Sequence, residues 1–250
     1  MRRIWGMTHK TKGIVLRSIK YGETSLVVTL FTEMFGIQTY MVNGVRTSKK
    51  TAAKANLFQP TAILDLVVYH SENKSMQRIK EFSWSHLYAT LLSDVIKNSI
   101  GSFMVELLNK CLKQPEANAD LYNFCEESLI QLDRADKKIA ANFALFFTLH
   151  LAHFFGFRMI DNYSKNENPV LDLQEGIFTA QQPTHPYFID GIHAELTAQL
   201  LKVMQPAELE QFNLNGDIRR SLLLKYLEYY ALHIHDFGNM KTLVVLHEVL

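Results

Sequence analysis

Gly13-Ile14-Val15-Leu16-Arg17-Ser18-Ile19-Lys20, then Tyr21-Gly22-Glu23-Thr24, then Ser25-Leu26-Val27-Val28-Thr29-Leu30-Phe31-Thr32-Glu33, reads as strand, turn and strand. β-Branched and aromatic residues fill both runs, and the glycine between them sits where a turn is needed. Working outward, Gly36 marks a second turn and Ile37–Asn43 a third strand. Gly44-Val45-Arg46 opens the polar stretch Thr47–Asn56, which has too little apolar surface to pack and is expected to be a loop. Ala62–His70 and Met76–Trp84 give two more strands around a turn at Ser71-Glu72-Asn73-Lys74. Five short strands with no helical pattern between them suit a five-stranded barrel of OB type. Along the second strand, Leu26, Val28 and Leu30 share one face and Val27, Thr29 and Phe31 the other, and a small barrel buries one of them. The pattern does not say which.

Near residue 86 the period becomes helical. Apolar residues at Leu91, Leu92, Val95, Ile96, Phe103, Leu107 and Leu108 trace a helix face within Leu87–Leu112. Further helices are expected at Ala119–Leu132, Lys137–Phe155, His193–Met204, Pro206–Gln211, Asp217–Phe237 (with Asp217 as its cap) and Lys241–Val249. The third is apolar nearly all round and so central to its domain, with Gly156 at its C-terminal cap. Asp161–Asp190 breaks the pattern with three prolines and a glycine, and is expected to be an irregular excursion with a short hairpin at Val170–Thr179. The expected fold class is α+β: an OB barrel over 1–85 and an all-α domain over 86–250.

Composition is that of an ordinary soluble chain, 48% hydrophobic and 20% charged. Two cysteines, Cys111 and Cys125, exclude a disulfide framework and fit a reducing, cytoplasmic setting. The most apolar run, Ile139–Phe155, is interrupted by Asn142, Thr148, His150 and His153, which favours a buried helix over a membrane span. The start is basic without a following apolar core, so no secretory signal is expected, and Met7 is an equally good start, with residues 1–6 an upstream extension.

The net charge of +1 hides a segregation. Residues 1–54 carry ten Lys and Arg against Glu23 and Glu33, and the remainder holds 16 basic and 23 acidic side chains. One end of the chain is suited to a polyanion. An OB barrel holds nucleic acid by pairing a cationic groove with aromatic platforms. Arg17, Lys20, Arg46, Lys49, Lys50 and Lys54 are the candidates for phosphates, and Tyr21 and Tyr40 for base stacking. Phe31 and Phe35 lean towards core. Helical histidines such as His150, His153, His233 and His235 lack a third ligand, so no metal and no cofactor are predicted. No glycine loop, GxSxG or Cys–His–Asn order points to catalysis.

Gly13-Ile14-Val15-Leu16-Arg17-Ser18, Tyr21-Gly22-Glu23-Thr24-Ser25, Phe31-Thr32-Glu33 with Gly36, Gly44-Val45-Arg46 and Phe58-Gln59-Pro60 together resemble the N-terminal signature of the RecO family. The resemblance implies a non-enzymatic recombination mediator that binds single- and double-stranded DNA and anneals complementary strands. It also implies engagement of RecR and of the C-terminal tail of SSB, so that RecA can replace SSB, in a cytoplasmic, nucleoid-associated setting. Many members carry a four-cysteine zinc motif after the third long helix. Here Asp161–Asp190 has no cysteine, so zinc is not expected, and packing through Phe178, Tyr187 and Phe188 is expected to hold the excursion. For the acidic, apolar-ended SSB tail, the basic clusters of the helical domain are the candidates: Lys137 and Lys138, and Arg219, Arg220 and Lys225. Two other classes fit the sequence: an OB-fold RNA-binding or translation factor, and a metal-dependent enzyme using Asp161, Asp172 and Glu175.

Overall fold

Alternation along the first strands is realised as a closed barrel. The computed structural model describes residues 8–45 and 55–249. β1 (Thr8–Tyr21), β2 (Ser25–Thr32), β3 (Gly36–Val42), β4 (Ile63–Tyr69) and β5 (Gln77–Trp84) form one sheet in the order β1-β2-β3-β5-β4. β4 returns antiparallel to β1, and β3 meets β5 in parallel through Tyr40↔Gln77 and Met41↔Arg78. This is the OB-type barrel that the strand count predicts.

Leu26, Val28 and Leu30 supply the inward face of β2, with Tyr40, Val42, Leu64, Leu66 and Val68 around them. Phe31 lies on the opposite face yet is also buried, because the ring of Tyr122 packs 5.6 Å from it. Both belong to a compact unit made of Met1–Ala89 and Leu112–Ile130. Within it, Lys12 is paired with Glu126 at 3.0 Å. Gly36 has φ +61°, and a Cβ there would fall 2.1 Å from the carbonyl oxygen of Glu116. No side chain fits that crossing.

The second unit, Thr90–Cys111 with Gln131–Leu250, is mainly helical. The helices are α1 (Val95–Cys111), α2 (Ala119–Arg134, its last turn in this unit), α3 (Lys137–Leu151), α4 (Gly191–Leu201), α5 (Gly216–His233) and α6 (Thr242–Val249). α1 starts eight residues later than periodicity suggests. Asp94 accepts from the N–H groups of Ile96 and Lys97 and so caps the helix at that point. The preceding turn is held by the Asp133 carboxylate, which accepts from the backbone N–H of Thr90 and Leu91 at 2.8 and 2.7 Å. α5 likewise begins one residue early, because Asn215 rather than Asp217 caps it. α3 passes into a 3-10 turn, Ala152–Phe155, and ends at Gly156 with φ +82°. It is long and apolar enough to cross a membrane, but Phe143, Ala144, Leu145, Phe147 and Leu151 are buried in the helical core.

The excursion contains more order than a hairpin. β6 (Val170–Asp172) and β7 (Ile177–Thr179) pair as expected, and β8 (Phe188–Ile189) adds a third strand on the other edge of β6. Asn162 clamps β7 by both amide atoms, donating to Phe178 O and accepting from Phe178 N, each at 2.8 Å. Asp172 accepts from Gln174 and Glu175 N–H through one oxygen and meets His185 Nε2 at 3.3 Å through the other. Phe178 is buried, with Tyr187 and Phe188 half-buried.

Candidate nucleic-acid interface

The outer face of β1, β2 and β3 is built in cross-strand rows, since directly opposed residues of antiparallel strands share a face. Arg17 opposes Thr29, which opposes Thr39. One row along, Ile19 opposes Val27 and Val27 opposes Met41, and Tyr21 stands at the tip opposite Ser25. Arg17 and Tyr21 are exposed on this face. Lys20, one residue out of phase, lies in the inward row with Leu26 and Val42 and is exposed only because it stands at the mouth of the barrel. The face therefore joins Arg17 with Tyr21 and separates Lys20 from both.

Tyr40 is a correction. Its row is Val28–Tyr40–Gln77, it is 0% exposed, and it fills the barrel core. Burial raises its pKa, and it has no face to offer a base. Arg46, Lys49, Lys50 and Lys54 lie outside the described residues.

Thr29 and Thr39 continue into a groove of about 660 Å³ that sequence reasoning missed. Its other walls are Ile37 and Gln38 of β3, the β4–β5 connection from His70 to Ser75, and Leu112, Lys113 and Pro115. Lys74 and Lys113 are exposed there and have no ion-pair partner among the described residues. Among the described residues the only acid on its walls is Glu72. A second groove, of about 640 Å³, runs beside β1, β4 and β5, but Glu33, Asp65 and Glu81 line it against Lys10 and Lys12, and Lys12 is already paired. The first groove is the better place for an anion. It also occupies the face and the β4–β5 loop that OB barrels use for oligonucleotides. No signal in the sequence marks Lys74 or Lys113, because their meeting depends on the barrel register and on the chain after α1.

Two family models meet near residue 90, whereas the barrel's compact unit also takes in Leu112–Ile130. "Recombination protein O N terminal" matches residues 7–88 and "Recombination protein O C terminal" residues 92–241. The chain belongs to the RecO family. Proteins named DNA repair protein RecO are similar to it along nearly its whole length. That of Christiangramia forsetii is 34% identical over 239 residues, 96% of this chain and 98% of the relative. That of Azobacteroides pseudotrichonymphae is 32% identical over 243 residues, 97% and 99% of the two chains. That of Bacteroides fragilis YCH46 is 33% identical over 245 residues, again 97% and 99%. The RecO assignment makes this a DNA repair protein and accounts for the order of barrel and helices.

The cations considered for a RecO protein partner differ in how committed they are. Arg220 pairs with Asp217, and Lys225 with Glu228 at 2.8 Å. Arg219 is half-buried and its guanidinium donates to Leu214 O. Lys137 and Lys138 are exposed in the first turn of α3, where Asp136 caps the helix by accepting from the N–H of Lys138 and Ile139. Of the carboxylates considered for a metal, Asp172 is spent on loop N–H groups and His185, and Asp161 faces Lys202 at 3.8 Å. Among the described residues no three such ligands come together.

Proposed function

We propose that this chain binds single- and double-stranded DNA through its barrel, anneals complementary strands, and acts as a recombination mediator that helps RecA replace SSB. The observation that carries this is the groove walled by Lys74 and Lys113 on an OB barrel, with Arg17 at its edge, in a chain of the RecO family. Lys20 and Tyr21 extend the surface at the β1–β2 tip, and Arg46, Lys49, Lys50 and Lys54 add cations from the sequence that follows β3. Cations that neutralise phosphates on two strands lower the repulsion between them, which is what annealing requires. The role is non-enzymatic, and RecR is the second protein partner.

The SSB tail docks on the helical unit, with Lys137 and Lys138 the first choice because they carry no competing ion pair among the described residues. Arg219, Arg220 and Lys225 form the alternative surface.

One assay tests both halves: annealing of complementary oligonucleotides, bare or coated with SSB. The chain should accelerate both reactions and prefer DNA to RNA competitor. Lys137→Glu with Lys138→Glu should slow only the SSB-coated reaction, since acids in a first helical turn do not disturb the helix. If wild-type protein accelerates neither reaction, the mediator reading is wrong. If the double variant handles coated strands like wild type, the tail docks elsewhere.

A further inference from the structure

One ring in the groove is placed for more than packing. His70 follows β4, and its imidazole stacks on Phe35 with centroids 3.9 Å apart and planes 13° from parallel. His9 meets the same Phe35 edge-on at 5.2 Å. The three rings make a supported cluster, and of the three only His70 lines the groove. Its Nδ1 has no hydrogen-bond partner among the described residues. Burial, followed by the nearby His9, holds its pKa below the ordinary histidine value against the pull of Glu72, so the ring is neutral at neutral pH.

The surroundings are as specific. Gln38 donates to Phe35 O at 3.1 Å, which leaves its side-chain carbonyl as an acceptor on the groove wall. Asn73 adds a second side-chain amide, and Lys74 and Lys113 add ammonium groups. The loop that carries Asn73 and Lys74 is pinned by Gln77, a buried side chain at 3% exposure. Gln77 accepts from Ser71 N–H at 3.0 Å and donates to Ser71 O and Lys74 O at 2.8 and 2.9 Å. The loop is thus fixed before any ligand arrives, and little ordering cost remains for binding.

A flat neutral ring, amides at its margin and cations beyond them together match a nucleotide: a π-face, polar base edges and a phosphate. We infer that His70, backed by Phe35, is a base-stacking platform in this groove. A nucleobase of the single strand lies on the imidazole, its edge meets Gln38 and Asn73, and the adjoining phosphates reach Lys74 and Lys113. Stacking of this kind tolerates any base, as a mediator that acts on any sequence needs. The inference rests on the DNA-binding reading above and assigns the base contact within it.

The test compares oligo(dT) with an abasic oligomer carrying the same number of phosphates, each titrated against the full chain. Wild type should prefer oligo(dT). His70→Ala should cost on the order of tenfold on oligo(dT) and nothing on the abasic oligomer, with an unchanged salt slope, while His70→Phe keeps the preference. If His70→Ala proves unfolded by its melting curve, His70→Leu replaces it, since Leu fills the site without a stacking face. Equal losses on both oligomers, or no loss on oligo(dT) by a folded variant, overturn the platform. Failure of wild type to bind either oligomer would instead remove the DNA-binding reading, and the platform with it.

Discussion

Gly36 meets two constraints at once: a left-handed backbone at φ +61° and the Glu116 backbone pressed where a Cβ would go. Gly22, at φ +58°, meets only the first, with nothing within 4 Å of its position. An L-residue in that conformation costs about 1–2 kcal/mol, and forcing a methyl into a packed crossing adds about 1–3 kcal/mol. Gly36→Ala should therefore destabilise the barrel unit by about 3 kcal/mol or more, and Gly22→Ala by about 1 kcal/mol, read from denaturant midpoints. Equal effects would mean that the 112–118 segment does not hold that position. At this same scale the sequence is only partly readable. Tyr21 and Tyr40 occupy similar β-rich runs, yet one is 57% exposed and the other 0%. What separates them is the register Val28↔Tyr40, a pairing between strands that local alternation does not encode. Arg17 and Lys20 are separated by phase alone, which alternation does encode once the inward face of β2 is known.

Among the elements, the barrel strands are legible because they are short β-branched and aromatic runs that turn at a glycine or a polar cluster, even where Ile14–Leu16 of β1 and Leu30–Phe31 of β2 are buried on both faces. α1 is less so. Its apolar spacing runs back to Leu91, but the chain there is captured by Asp133, a residue some forty positions away whose carboxylate takes two backbone N–H groups. The excursion at 161–190 is the least legible, since β8 and the Asn162 clamp join residues that share no period. In this sheet polar side chains do the holding: Asn162 on β7, and Asp172 on the turn that follows β6. Asn162→Ala removes both bonds to Phe178 and should cost about 2 kcal/mol at about 1 kcal/mol each, with faster exchange of the Phe178 amide. A chelator should leave the melting temperature of wild type unchanged, because a structural metal would add folding energy. A chelator-sensitive melt, or an Asn162→Ala variant as stable as wild type, would contradict this account of the excursion.

Across the whole molecule the charge is divided. Ten cations and two acids fall within residues 1–54, against an acidic remainder. The division was visible in the sequence, and it points at the barrel. The groove adds what the division could not: Lys74 and Lys113, which lie outside that basic segment and join it only through the fold. Cations gathered in this way give affinity by releasing counterions, and their number is measurable. The most direct test is the salt dependence of binding to single-stranded DNA by wild type and by the triple variant Arg17→Ala, Lys74→Ala, Lys113→Ala. With about four phosphates neutralised at roughly −0.7 each, log affinity should fall against log salt with a slope near −3 in wild type, and the variant should lose about two units of it. A variant slope equal to that of wild type would contradict the groove as the DNA site.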